Sequence, residues 1–340
     1  MSVSYVYAVA RLRAMENRFL DASFFSRLID SATLEDALKS LGETVYAQWL
    51  NPSETQDAGG FDRIIDNELI ATCDELRQFI PDRELLDICR MPYDFNNIKV
   101  ILKSLFKARD GGERRYDLLS KLGTVNTESL IMAIEGEEYG FLPYGLGDMI
   151  PRCWSIWEQT KNPQQVEILL DEHLFAAMGS LAEELGKKLN TPAISCWVAH
   201  KIDVENLRNA VRLQRMNYDA GAALPFFHEG GTLRPNDVAK LLSEPLESWS
   251  KSLSYTNIGA ALETTQDRSD VQATLSELSK ALDAYLIRVL EGAKYGSTPE
   301  NVILYLLRKE EEARNLRIAL VCVANGLNRE FARRLLSHAR

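Results

Sequence analysis

Three segments of the sequence, "YDFNNIKVIL" at 93–102, "KIDVENLRNAV" at 201–211 and "EEARNLRIAL" at 311–320, share one pattern. An acidic residue is followed by two intervening positions, then Asn, then Ile or Leu, then Lys or Arg. The asparagines, Asn97, Asn206 and Asn315, stand 109 residues apart in both intervals. At average residue frequencies the bare triplet is expected about once or less per chain, so three evenly spaced copies mark an internal repeat. The period is too long for a solenoid unit of roughly 20–50 residues. The chain therefore reads as three copies of one domain, 1–115, 116–225 and 226–340, with the first helix available to complete the last copy.

Other landmarks keep step. Pro81, Pro192 and Pro299 precede the asparagines by 14 to 16 residues. Gly111 and Gly112, Gly221 and Gly326 follow where a left-handed residue would end each helix. Thr191 with Pro192, and Thr298 with Pro299, read as N-cap and first helical position. A turn and a short amphipathic helix follow two of the copies, at 122–134 and 230–242, and the segment 30–41 has the same form. Apolar positions at helical spacing cover about 5–30, 34–50, 61–79, 82–90, 94–109, 116–122, 127–135, 163–188, 192–218, 235–250, 270–293 and 299–325. No stretch alternates as a strand does, so the fold class is all-α.

The repeated amide sits on the wrong face for a polar group. On a helix Asn97 lines up with Ile98, Ile101, Leu102 and Leu105. An unpaired amide there costs about 1–3 kcal/mol, so each copy should bond to backbone groups of a neighbouring element and fix register. The acids Asp94, Asp203 and Glu312 lie one turn earlier, and Asp94 and Asp203 are expected as N-cap or first-turn acids after Pro92 or a bend. The bases Lys99, Arg208 and Arg317 are expected to turn towards solvent or a partner. A catalytic site would need these residues in one pocket, whereas repetition distributes them over three cores. The motif therefore reads as structural, with no catalytic, cofactor or metal-ligating residue assigned.

Composition narrows the function. A chain of 340 residues, 46% hydrophobic and 26% charged, is large enough for two or three cores. Its formal charge of −10 disfavours nucleic acid or an anionic lipid surface as main partner. The longest apolar run, Ile318 to Ala324, is seven residues, against the roughly twenty that span a bilayer. Arginines interrupt the apolar pattern of the N-terminal stretch, which reads as an amphipathic helix instead of a signal peptide. Five scattered cysteines (Cys73, Cys89, Cys153, Cys196, Cys322) point to a reducing compartment without disulfides.

Chemical motifs are thin. There is no Gly-x-x-x-x-Gly-Lys-[Ser/Thr], so no P-loop ATP site is expected. The four histidines, His173, His200, His228 and His338, form no His-Glu-x-x-His pattern. Cys196 and His200 can share a helix face but lack further ligands, and read as a packed thiol beside a half-exposed imidazole. "KEEEAR" at 309–314 reads as a solvated charge run. The aromatic segment 137–157, with Tyr139, Phe141, Tyr144, Trp154 and Trp157, is dense enough to raise a small-molecule pocket, but Pro143, Gly145, Gly147 and Pro151 make it read as a loop packed between domains.

The N-terminal "YVYAVARLRAMENRFL", the "YDFNNIKVILK" segment and the triplicated helical layout resemble the C subunit of the archaeal and bacterial A/V-type rotary ATPases, the relative of the d subunit of eukaryotic V-ATPases. The resemblance runs the whole chain in order; the third copy departs from it with Glu312 in place of Asp. It implies a funnel of three similar bundles in pseudo-threefold arrangement, without cofactor or catalytic role. Such a part sits on the cytoplasmic face of the membrane, peripherally, one copy per complex. It would join the central-stalk subunits of D and F type to the proteolipid ring and carry torque between ATP chemistry and proton or sodium transport. The competing class is a generic helical adaptor for protein partners.

Overall fold

The computed structural model describes residues 4–50, 60–109, 111–263 and 271–336, with backbone alone for 271–274. Its helices are α1 (Val6–Met15), α2 (Ala22–Asp30), α3 (Leu34–Leu41), α4 (Gly60–Arg77), α5 (Glu84–Arg109), α6 (Thr127–Glu135), α7 (Leu146–Thr160) and α8 (Pro163–Leu189). There follow α9 (Ala193–Arg215), α10 (Ala220–Ala223), α11 (Pro235–Leu241), α12 (Trp249–Ser252), α13 (Asn257–Leu262), α14 (Val271–Leu290), α15 (Glu300–Ala324) and α16 (Arg329–Leu335). No strand occurs among the described residues, and the fold is all-α.

Side-chain oxygens start many of these helices. Asp21, Thr33, Asn126, Asn162, Asp219, Thr256 and Asn328 each accept a backbone N–H from the first turn, satisfying donors that the helix cannot. Pro192 and Pro299 occupy the cap residue itself, one position earlier than the sequence suggests, and the Thr191 hydroxyl still accepts the Ala193 N–H at 3.2 Å. The motif helices α5 and α15 end on left-handed glycines, Gly111 (φ 81°) and Gly326 (φ 61°). For α9 that role falls to Asn217 (φ 58°), while Gly221 lies inside α10. Asparagine takes this conformation more readily than other non-glycine residues, which is why the glycine expectation fails there.

Two compact units partition the chain: Met1–Leu86 with Leu290–Arg340, and Asp87–Val289. In the first, α1, α2, α3 and α4 all pack against α15. Val302 to Leu306 are five consecutive buried residues, so α15 is covered all round and forms the unit's axis. In the second, α8 packs between α7 and α9. Trp249 anchors a further core with Val238 and Leu282, its indole N–H bonded to the Leu241 carbonyl at 3.1 Å.

The aromatic segment differs from its reading as a loop. Residues 146–160 form α7 with Pro151 inside it, and Trp157 stacks on Phe106 at 4.1 Å between ring centroids while Trp154 meets the same ring edge-on. Helical spacing of the two tryptophans brings both onto one face; the flanking glycines and prolines masked that signal.

Candidate functional site

The motif residues Asp94 and Asn97 of α5 and Asp203 and Asn206 of α9 lie in mid-helix, completely buried. A chain segment runs back along each helix and is held there. Asn97 Oδ1 accepts the Ser120 N–H at 2.8 Å, and its Nδ2 donates to the Ser120 carbonyl at 2.8 Å. Asn206 treats His228 the same way, at 2.8 and 2.9 Å. A primary amide offers donor and acceptor side by side, so one uncharged side chain satisfies both backbone groups of one residue.

One turn earlier the acids clamp the next stretch of the same segments. Asp94 accepts the Thr124 N–H (2.9 Å), the Thr124 hydroxyl (2.6 Å) and the Val125 N–H (3.0 Å). Asp203 accepts the Thr232 N–H (3.1 Å) and hydroxyl (2.5 Å) and the Leu233 N–H (2.9 Å). Burial raises the Asp94 carboxyl above the ordinary aspartate value, and the Thr124 and Val125 bonds oppose that rise. Neither acid caps its own helix, contrary to the sequence reading. Pro92 lies within α5 without ending it, so both acids face another segment's free N–H groups.

Residues beyond the motif complete this fastening. A Cβ on Gly123 would stand 2.2 Å from Asp94 Oδ1, and one on Gly231 would stand 2.3 Å from Asp203 Oδ1, so the carboxylates reach the backbone only because glycine precedes each threonine. Arg90 donates to the carbonyls of Leu122 (2.8 Å) and Gly123 (2.6 Å), and Asn209 donates to Phe226 (3.1 Å). The Gly-Thr pairs were visible in the sequence, 29 and 28 residues after Asp94 and Asp203.

The third copy does related work with different chemistry. Glu312 accepts the Leu20 N–H at 2.6 Å and the Tyr46 hydroxyl at 2.8 Å, so α15 fastens the opposite end of the chain. Helix α2 begins two residues after Leu20, as α6 follows Val125 and α11 follows Leu233. By this contact α2, not the 30–41 segment, answers to α6 and α11. Asn315 is 1% exposed.

Lys309, 2% exposed, sits 2.8 Å from Glu312 and 3.3 Å from Glu68, under the rings of Phe19 and Tyr46. Glu68 also accepts the Trp49 indole N–H at 3.0 Å. Burial, then Glu312, pushes the Tyr46 and Tyr305 phenols up, so both hold their protons. The charge run at 309–314 is thus not a uniformly solvated face, since Lys309 and Glu312 are buried while Glu310, Glu311 and Arg314 stay half-exposed. Its helical spacing sends Lys309 and Glu312 inward together, and Glu68, 241 residues away in sequence, supplies the partner.

The motif bases are also committed within the chain. Lys99 pairs with Asp171 of α8, Arg208 with Asp283 of α14, and Arg317 with Asp62 (2.5 Å) and Asp66 (3.0 Å) of α4. Each motif helix thus takes its ion pair from another helix, α5 from α8, α9 from α14 and α15 from α4. For Arg208, burial opposes ionisation, yet Glu205 and Asp283 hold the guanidinium above its ordinary value.

Elsewhere, Cys196 is exposed, and His200 Nδ1 meets the Tyr285 hydroxyl at 2.9 Å. No cluster of three metal-ligating side chains occurs among the described residues, and His338 lies outside them. The nine motif residues do not converge on one pocket. Asp94 with Asn97, Asp203 with Asn206, and Glu312 each hold backbone against a buried helix, while the three bases pair with carboxylates.

This geometry defines an all-helical protein whose buried polar motif fastens chain segments. The chain belongs to the family described as the ATP synthase (C/AC39) subunit, which it matches over residues 8–335. It is 25% identical to the C subunit of the A-type ATP synthase of Thermococcus onnurineus, over 98% of this chain and 90% of that protein. It is 24% identical to the subunit of the same name from Methanocaldococcus jannaschii, over 98% and 86%. It is 23% identical to the C subunit of the V-type sodium ATPase of Enterococcus hirae, over 94% of each.

Proposed function

We propose that the chain is a non-catalytic rotor subunit of an A/V-type rotary ATPase, coupling the central stalk to the membrane proteolipid ring during ATP-linked proton or sodium transport. The observation that carries this reading is the family match over nearly the whole chain, including relatives named as the C subunit of ATP synthases and of a sodium ATPase. In this reading the three copies, divided in sequence at 1–115, 116–225 and 226–340, close as a funnel with a central socket. The socket takes stalk subunits of D and F type, and the funnel rests on the ring at the cytoplasmic face, one copy per complex. No described helix is long and apolar enough to cross a membrane, which fits attachment through other subunits.

The buried fasteners support a torque-bearing role. Hydrogen-bonded polar groups in a core specify one packing and resist sliding, because any shift leaves them unpaired at low dielectric. The experiment is isolation of membranes carrying a tagged chain. Recovery with the soluble ATPase subunits and the proteolipid ring is expected; recovery as a lone species would favour the helical adaptor.

A further inference from the structure

A groove follows the outer face of α8. Two cavities, of about 460 and 690 Å³, share Glu172 and Pro225 as common walls and line up along the helix from Gln164 to Glu183. At about 1.5 Å per residue that stretch is roughly 28 Å long, the length of a helix of about five turns. Ile168 on α8 and Phe226 opposite present partly exposed apolar surface to it, over the buried Leu169, Phe175 and Phe227.

Two features of the lining select an occupant. At Gly179 a Cβ would meet nothing within 4 Å, so the groove reaches the backbone of α8 beside Ala176 and Ser180 and admits a close-packed element. The charged side chains that line it are Glu172, Glu183 and Glu229, with no lysine or arginine among the lining residues. Lys99, the base that reaches α8 from α5, is committed to Asp171. A carboxylate-rimmed apolar groove attracts an element with the opposite pattern, an apolar stripe flanked by cations.

We propose that this groove is a docking site for a basic amphipathic helix of another protein, its apolar stripe seated over Gly179 and its lysines or arginines on Glu172, Glu183 and Glu229. The proposal rests on the reading of the chain as a subunit of a larger assembly, and it adds which face binds and what chemistry it accepts.

The test uses the purified full chain and a fluorescein-labelled amphipathic helix of leucine and lysine, about 18 residues long. Its leucine–glutamate counterpart and a lysine peptide of scrambled order serve as probes of charge and of pattern. Anisotropy titration is expected to show binding of the ordered lysine helix alone. Gly179→Leu, which leaves net charge untouched and favours the helix, should weaken binding about tenfold or more by filling the floor, and Glu172→Lys with Glu229→Lys should do the same. Equal binding by wild type and Gly179→Leu, or equal binding of ordered and scrambled lysine peptides, overturns the groove in favour of general attraction to an acidic protein. Because this assay needs no ATPase, its failure is distinguishable from failure of the tagged chain to co-purify with the complex.

Discussion

The fasteners of the 87–289 unit and that of the terminal unit occupy one helix position but solve different problems. In α5 and α9 the acid is aspartate, and it bonds a Gly-Thr pair whose backbone comes close because glycine has no Cβ. In α15 the corresponding neighbours of Leu20 are Arg18 and Phe19, which cannot let the backbone approach so closely. Glutamate spans the gap with one more methylene, reaches a single N–H, and satisfies its remaining oxygen with Tyr46 and Lys309. Joining two chain ends therefore puts a lysine against the fastening acid itself, where Asp94 and Asp203 bond threonine and backbone. The departure of Glu312 from the repeat is a consequence of what it fastens.

The largest expected effect comes from removing that lysine. Lys309→Met leaves Glu68 and Glu312 buried without their cation, at a cost of about 3–5 kcal/mol. Trp49, bonded to Glu68, reports it directly: its urea-induced fluorescence change should move to lower denaturant while the tryptophans of 87–289 hold theirs. Adding Glu68→Gln and Glu312→Gln should restore part of the loss. A simultaneous shift of every tryptophan would mean that the two units do not unfold separately.

Next in size is Asp203→Ala, which strips three bonds from the 232–233 segment and costs about 1.5–3 kcal/mol. Gly231→Ala should reproduce much of that loss with the acid intact, since the added Cβ displaces the carboxylate. Asn206→Leu is expected to cost somewhat less, about 1–2 kcal/mol, from the two unpaired backbone groups of His228. Thermal melts of the three variants give the order.

The smallest effect is a pH dependence confined to 87–289. Burial holds His228 below the ordinary histidine value of 6.5, against the raising influence of Asp171, Glu205 and Glu172 and with Lys99 lowering it further. The unfolded chain thus binds a proton that the folded one refuses, so stability is present above pH 6.5 and falls as the pH drops below it. His228→Gln should flatten that slope in melts between about pH 7.5 and 5.5, run on both forms.

Much of this organisation was legible in the sequence, because repetition supplied its own alignment. The all-helical class and the buried amides follow from periodicity and from the cost of an unpaired Asn97 or Asn206. Long-range partners were not legible. Nothing in "KEEEAR" says that Glu68 lies opposite Lys309, and nothing near Lys99 or Arg317 names Asp171 or Asp62. A base two residues past a core amide looks solvent-bound until another helix is known to stand beside it. The caps assigned to Asp94 and Asp203 failed for a related reason: Pro92 suggested a helix start, but packing carried α5 straight through it.

Amide hydrogen exchange at Val125, Leu233 and Leu20 tests most directly whether the repeated acid is a backbone fastener in all three copies. These N–H groups lie outside regular helix and are held by the carboxylates of Asp94, Asp203 and Glu312. Exchange as slow as that of the motif helices is expected, with release of Leu233 alone in Asp203→Ala. Exchange at the rate of an open loop in the wild-type chain would contradict the fastening role.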